Sequence, residues 1–330
     1  MIDGHNRNIN YLRISVTDRC NLRCSYCMPK EGLSVLGHDD ILRYEEILRI
    51  VEVAVALGVA KVRITGGEPL VRRGLVGFIT RLAAIPGLQD ISLTSNGILL
   101  EKFAAPLFQA GIKRINISLD SLNAAKYAEI TRGGNLQSVL RGIEAVHQAG
   151  FQPIKINAVA IKGVNDDELL DFAQLSIDKP FQIRFIELMP MGRAGLSYKG
   201  EFLPNEVIFD MINNVYPLEP LKEEGNLVAG PARMYRIAGA RGKIGFISPI
   251  SHNFCGNCNR LRLTADGSLR ACLLQDKEIS LRHGLRNGYS DGVLKELIAR
   301  VIADKPKQHD ISHEDHHLKK CVKEMSALGG

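Results

Sequence analysis

The sequence predicts an α/β protein. An incomplete six-stranded (β/α)6 barrel, a partial TIM barrel, is expected over residues 1–220, with a smaller C-terminal α+β domain over 221–330. Three observations carry this. From residue 11 to about 190, short strand-like segments alternate with longer amphipathic ones, a rhythm that builds parallel strands joined by right-handed helical crossovers. Each strand-like segment is apolar on one face and polar or basic on the other. Past about residue 195, short β-like pieces with turn signals replace the long alternation.

The expected strands are Leu12–Val16, Lys61–Thr65, Asp90–Thr94, Arg114–Leu119, Ile154–Ile161 and Phe181–Leu188. Between them Tyr44–Leu57, Leu75–Ala84, Leu99–Ala110 and Asn135–Ala149 read as helices. Three of these run into a glycine (Gly58, Gly111 and Gly150), the residue that most readily takes the left-handed helix end. Leu203–Ile212 reads as a further helix. It is followed by β-like pieces at Leu227–Val228, Met234–Ile237 and Lys243–Ser248. Leu261–Leu263 and Ser268–Cys272 make a hairpin around Asp266-Gly267. Gly292–Ile302 is helical. Lys305–Lys319, rich in His, Lys and Asp, reads as a flexible, solvated surface stretch, with metal binding by His309, His313, His316 and His317 as the sharper alternative.

Side-chain alternation sorts the strand faces. Leu12, Ile14 and Val16 oppose Arg13, Ser15 and Thr17; Val62 and Ile64 oppose Lys61, Arg63 and Thr65. Ile91 and Leu93 oppose Ser92 and Thr94, Ile115 and Ile117 oppose Asn116 and Ser118, and Ile154 and Ile156 oppose Lys155 and Asn157. Strands covered by helices on both faces read as continuous apolar runs. A complete barrel fills its interior with branched apolar side chains. A partly open barrel with a solvated lumen for a polar substrate fits the alternation, against the plainer reading of one sheet face exposed to water.

Composition narrows the function classes. The 330 residues, with 45% hydrophobic, suffice for a sizeable core. The net charge of +6 suits a nucleotide, nucleic acid or phosphate ester, or only a solvated surface. No apolar run approaches the roughly 20 residues that cross a bilayer. The first residues are polar and carry no secretory apolar core. The expectation is a cytoplasmic chain without a membrane partner.

Six of the seven cysteines form two sets, and Cys321 stands apart as a bystander. In a reducing compartment such sets bind metal before they form disulfides. Cys20, Cys24 and Cys27 follow the first strand, at the end where barrel enzymes place their chemistry. Three thiolates can hold three irons of a [4Fe–4S] cube and leave the fourth open. Zinc, the alternative, asks for four ligands. Cys255, Cys258 and Cys272 are again three, so a second cube competes with a zinc site completed by a distant residue such as His252. Arg260 and Arg262, alternate residues on one strand, point the same way and suit phosphate oxygens.

The C-x3-C-x2-C set with Tyr26 before its last cysteine, together with Thr65-Gly66-Gly67-Glu68-Pro69, resembles the radical S-adenosylmethionine enzymes. The second set with its internal Arg260-Leu261-Arg262, and the Gly329-Gly330 pair, are similar to the GTP 3′,8-cyclase family, lyases of molybdenum-cofactor biosynthesis. The resemblance runs over essentially the whole chain and implies a C-terminal domain closing the open side of the barrel. It implies that Cys20, Cys24 and Cys27 hold the cluster that cleaves S-adenosylmethionine, with Tyr26, Gly67, Ser118 and Met189 lining that cofactor's pocket. It further implies that Cys255, Cys258 and Cys272 hold a second [4Fe–4S] cluster whose open iron meets the guanine edge. Arg13, Arg63, Thr94, Lys155, Arg260, Leu261 and Arg262 would contact GTP, and Gly329 and Gly330 would reach the active site. Without the family, the glycine pair reads as a frayed end.

The implied reaction is abstraction of the ribose 3′ hydrogen by a 5′-deoxyadenosyl radical, attack of C3′ on guanine C8, and one-electron reduction. The implied partners are cyclic pyranopterin monophosphate synthase for the product, a small redox protein as electron donor, and a second copy in a homodimer. A radical maturase of peptide side chains would share the first set but has no need of Arg260 and Arg262. A zinc-stabilised nucleic-acid-binding protein fits the charge. It leaves the polar lumen unexplained, and with no Trp and 6% aromatic residues the chain lacks stacking platforms.

Overall fold

The computed structural model describes residues 1–198, 200–221, 230–309, 311 and 323–329. Leu227–Val228, His313, His316, His317, Cys321 and Gly330 lie outside the described residues. Strands β1 (Tyr11–Ser15), β2 (Lys61–Thr65), β3 (Asp90–Ser95), β4 (Arg114–Ser118), β5 (Ile154–Ala160) and β6 (Gln182–Glu187) pair in parallel, each with its successor. Their connections carry helices α1 (Tyr44–Ala56), α2 (Leu75–Ala83), α3 (Leu100–Gln109), α4 (Ala124–Thr131), α5 (Leu136–Gln148) and α6 (Leu169–Asp178). The anticipated helices begin and end within a residue or so of these bounds. Gly58, Gly111 and Gly150 sit at φ of +98°, +111° and +89°, beyond the helix ends they were expected to mark. Helices α4 and α6 were not anticipated. A signal for α4 was present, since the Asn123 side chain accepts from the Ala125 and Lys126 amides as its N-cap.

After β6 come α7 (Gly192–Ser197), α8 (Asn205–Asn213), β7 (Leu218–Pro220), β8 (Arg233–Ile237) and β9 (Lys243–Ile247). Then follow β10 (Arg260–Leu263), β11 (Ser268–Arg270), β12 (Glu278–Ser280), α9 (Leu281–Arg286), α10 (Asp291–Ala303) and α11 (Met325–Leu328). A smaller domain was expected here, but these strands do not make a separate sheet. β9 pairs in parallel with β6 and β10 in parallel with β1, so the described strands join one twelve-stranded sheet, β12-β11-β10-β1-β2-β3-β4-β5-β6-β9-β8-β7. The outer strands of a six-stranded parallel array have unpaired N–H and C=O groups, and the later strands satisfy both edges.

The helix-facing side of the sheet is the core. Leu12, Ile14, Val62, Ile64, Leu93, Ile115, Ile117, Ile156, Ile183 and Phe185 are all buried there among helix side chains. The opposite face is polar and also largely out of water: Ser92, Asn116, Lys155, Arg184 and Arg262 are each buried. A flat sheet would hold β2 and β6 about 19 Å apart. Yet the Arg184 guanidinium, lowered to about 9 chiefly by burial, also feels the charge of Arg63. The sheet therefore curls, bringing the polar side chains towards one another as in a partial barrel. Among the described residues no helix is long and apolar enough to cross a membrane.

Candidate active site

The first cysteine set lies on the loop after β1. Its backbone is held by a hydrogen bond from the Cys27 amide N–H to the Cys24 carbonyl at 2.9 Å, and the Arg132 side chain donates to the Met28 carbonyl at 2.8 Å. Burial raises the Cys24 thiol well above its ordinary value, and Asp120, Cys27 and Cys20 raise it further. Burial, Cys20 and Glu324 push Cys27 up to about 12. These are three thiols that feel one another in a half-buried loop. As bare thiols they are costly to ionise, and a bound metal would supply the positive charge that their ionisation needs.

Tyr26 extends from this loop to the end of β4, where its hydroxyl donates to Asp120 at 2.7 Å. Burial raises Asp120 to about 6, against the bonds from Tyr26 and from the Val159 amide. Ser118 stands two residues earlier, in register with Asn157. The glycine turn after β2 packs on the same loop. A Cβ on Gly66 would meet the Thr17 carbonyl oxygen at 2.8 Å, and one on Gly67 the Asp18 carbonyl oxygen at 2.9 Å. The close approach that demands glycine is thus to the chain's own backbone ahead of Cys20. Glu68, fully buried and raised to about 7 by that burial, accepts from the Leu70 and Asn96 amides and the Ser95 hydroxyl.

Three of the expected cations fall in one rung of the polar face, and Arg260 lies one rung away, opposite Tyr11. Arg262 on β10, Arg13 on β1 and Arg63 on β2 are register partners across adjacent strands, continued by Ser92 on β3 and Arg114 on β4. A second rung runs Thr94, Asn116, Lys155, Gln182. Crowding shows in the titration. Burial with Arg262 and Arg63 depresses Arg13 far below its ordinary value, and burial with Arg184, Arg114 and Arg63 brings Lys155 down to about 6. Thr94 Oγ1, Asn116 Oδ1, Asn157 Oδ1 and Arg184 Nε are buried with no hydrogen-bond partner among the described residues. Such groups, with like charges pressed together, are costly unless a polyanionic ligand completes them. Leu261 faces the other way, paired with Leu12 and buried in the core, so it can offer only its backbone to this face. Arg184 and Lys61 belong to the same basic surface. The alternation of β2 sets Lys61 on that face beside Arg63, and the alternation of β6 is the signal for Arg184.

The second cysteine set brackets β10 and β11. Burial pushes the Cys258 thiol up, but Arg260 and Lys305 outweigh it and hold it at about 6. Cys272 is raised by burial and by Cys258 and Cys255, so these three sulfurs also feel one another. His252 does not complete a zinc site: its Nε2 meets Glu206 at 3.3 Å and its Nδ1 the Ser251 hydroxyl at 3.2 Å. His309 is buried, with Nε2 2.8 Å from the Pro249 carbonyl, and Lys305 is buried too. Lys305 and His309, in a stretch expected at the surface, are therefore interior because their polar groups find carbonyl partners, while Lys307 and Gln308 remain exposed.

Between the two sets lies α11. Leu328 packs with Met191, Ile250, Leu274 and Ile311, against partly buried Met189 and Cys272. Beyond it Gly329, at φ +74°, enters the polar face, its carbonyl accepting from Thr65 Oγ1 at 2.8 Å and Arg262 at 3.3 Å. The reading of a frayed end does not hold for Gly329.

A curled parallel sheet with a three-cysteine loop after its first strand defines the radical S-adenosylmethionine class. The model of the Radical SAM superfamily matches residues 14–176, and that of Molybdenum Cofactor Synthesis C matches 181–311. The chain is 49% identical to a GTP 3′,8-cyclase of Alkaliphilus oremlandii and 50% identical to one of Moorella thermoacetica, in each case over 330 residues and 100% of both chains. A third, from Thermodesulfovibrio yellowstonii, is 50% identical over 100% of both chains. The chain belongs to the GTP 3′,8-cyclase family. Its fold is similar to the crystal structure of Streptococcus suis SuiB bound to precursor peptide SuiA, with a TM-score of 0.58 at 15% identity, covering 89% of this chain and 68% of that one.

Proposed function

We infer that the chain is a lyase that cyclises GTP to (8S)-3′,8-cyclo-7,8-dihydroguanosine 5′-triphosphate, the first step of molybdenum-cofactor biosynthesis. The observation that carries this reading in the structure is the rung Arg262–Arg13–Arg63, curled towards Lys155 and bordered by the cysteine loop after β1. A nucleoside triphosphate is the kind of ligand that repays such crowding, since Arg and Lys together grip its oxygens through charge-assisted bonds.

When bound, a [4Fe–4S] cluster with S-adenosylmethionine supplies single electrons and a hydrogen-abstracting carbon radical. Cys20, Cys24 and Cys27 would hold that cluster, and Tyr26, Gly67, Ser118 and Met189 would line the cofactor's place. Tyr26 is oriented by Asp120. Arg13, Arg63, Thr94, Lys155, Arg260 and Arg262, with the Leu261 backbone, would bind and orient the nucleotide. Orientation is the chain's main contribution, because a radical reacts with whatever lies nearest. Gly329 narrows the space beside Thr65 and Arg262 and would help to keep water from it. Gly330 would extend that role.

Cys255, Cys258 and Cys272 would hold a second [4Fe–4S] cluster with an open iron for the guanine edge. On this reading residues 1–220 serve the first cluster and 221–330 the second. The fitting partners are a small redox protein as electron donor, cyclic pyranopterin monophosphate synthase as acceptor of the product, and a second copy in a homodimer, in the cytoplasm.

The test is an anaerobic assay of iron- and sulfide-reconstituted protein with S-adenosylmethionine, a strong reductant and each nucleoside triphosphate in turn. The expected outcome is 5′-deoxyadenosine together with a product of the mass of GTP and a new retention time, formed with GTP alone. Cleavage of S-adenosylmethionine indifferent to every nucleotide would keep the class and remove GTP.

A further inference from the structure

Lys305 follows α10 in a stretch whose composition resembles an exposed surface, yet it is only 3% exposed. Its ammonium donates to the Arg260 carbonyl at 2.8 Å and to the Ala271 carbonyl at 2.5 Å. Arg260 opens β10 two residues after Cys258, and Ala271 immediately precedes Cys272. One nitrogen therefore ties together the two segments that carry two of the three thiols. An ammonium has three N–H groups, and two are used here.

The charge of Lys305 is the unusual part. Burial acts against it, and so do Arg7 and Arg260, while the groups that favour it are the sulfurs of Cys258 and Cys272. A buried ammonium held by neutral carbonyls calls for a nearby anion, and a thiolate-held cluster on the second set would be that anion. Arg7 is a different case, because Asp3 neutralises it at 2.7 Å. Its guanidinium donates to the carbonyls of Cys255 at 2.9 Å, Pro306 at 2.7 Å and Lys307 at 3.1 Å, stapling the Lys305 segment to the third cysteine. The surroundings of the second set are thus rigid, with Lys305 as a cation that has no carboxylate partner among the described residues.

We propose that Lys305 is a positioning residue for the second cluster, spacing the Cys258 and Cys272 segments and, through its fixed charge, favouring the cluster's reduced state. This rests on the reading that Cys255, Cys258 and Cys272 hold such a cluster. A thiolate-held cube is anionic and gains one more negative charge on reduction, so an adjacent cation raises its reduction potential.

The test uses the full chain with Cys20, Cys24 and Cys27 replaced by alanine and reconstituted anaerobically with iron and sulfide, so that bound iron reports the second set. A four-iron cube is expected there; a chain that binds none would overturn the second-cluster reading itself. In that background Lys305→Gln keeps two N–H donors and loses the charge. It is expected to retain the cube and to shift the EPR-monitored midpoint to more negative potential by at least tenfold in the reduction constant, 59 mV for one electron. Lys305→Arg is expected to restore the midpoint. A Gln variant with an intact cube and an unmoved midpoint overturns the proposal. Loss of the cube in both variants also overturns it, because the charge then decides nothing. Loss in the Gln variant with retention in the Arg variant supports it.

Discussion

The carbonyl of Gly329 and the hydroxyl of Thr65, 264 positions apart in the chain, are joined by a 2.8 Å hydrogen bond inside the polar face of the sheet. Thr65 ends β2 and begins the glycine turn that packs on the first cysteine loop, so this bond links the C-terminal segment to the framework of that loop. Gly329 is suited to it by size. A Cβ there would collide with the Thr65 hydroxyl and approach Ser15 Cβ at 2.8 Å, and φ is +74°.

Gly329→Ala is therefore expected to displace the segment from the polar face. Alanine in the left-handed region costs roughly 1 kcal/mol before any collision. Cyclised product should fall at least tenfold, while iron content and thermal midpoint stay at wild-type values, because the core does not depend on this residue. Product yield and iron analysis on the same sample check it; undiminished yield would mean the segment is elsewhere during turnover.

Arg260→Ala and Arg262→Ala separate nucleotide binding from the segment's anchorage, since Arg262 alone of the two donates to Gly329. Losing a charge-assisted bond costs roughly 1.5–3 kcal/mol, so GTP should bind about ten- to a hundredfold more weakly in both. Reductive cleavage of S-adenosylmethionine without nucleotide should be largely intact. Equilibrium binding of GTP to each variant is the measurement, and wild-type affinity in both would remove their phosphate role.

Lys155 gives the polar face a pH dependence whose sign is fixed by its depressed value of about 6. At pH 8 it is mostly neutral in the free protein, and a triphosphate favours its charged form. Binding should then take up a proton. Affinity should be greatest below about pH 6, falling as pH rises towards the value Lys155 reaches in the complex. Calorimetry at pH 8 in two buffers of different ionisation enthalpy should show that uptake in wild type and a smaller one in Lys155→Met. Equal uptake in the two proteins would assign the proton elsewhere.

Glu187 anchors the segment that leads to the second cysteine set. Fully buried at the end of β6, it accepts from the amides of Asn205 at 3.2 Å, Ile250 at 3.1 Å and Ser251 at 3.0 Å, and from the Ser251 hydroxyl. Glu187→Gln turns one oxygen into a donor facing donors. The expected cost is roughly 1–3 kcal/mol of stability, with iron bound by the second set reduced more than iron bound by the first. Denaturant unfolding and iron analysis would show it; an unchanged midpoint would mean the loop reorganises around the amide.

Much of this site could be read along the chain. Arg13, Arg63, Thr94 and Lys155 share the polar face because strand side chains alternate, and that needs no knowledge of neighbours. The cysteine spacings are local in the same way. Lys305 was misplaced because a run of His, Lys and Asp has the composition of a wet surface, whereas carbonyls from β10 and the segment beyond β11 take it inside. The continuous sheet was missed for a related reason: an unpaired strand edge announces that it needs a partner but not which one.

The order of elements, the polar and apolar sides of each strand, and the two thiol sets follow from spacing and residue type, which act over a few residues. Only the tertiary structure decided that β10 lies against β1, setting Arg262 beside Arg13, and that Gly329 reaches Thr65. Those choices depend on which backbone edges and buried charges find complements across the molecule, and that is settled by packing in space.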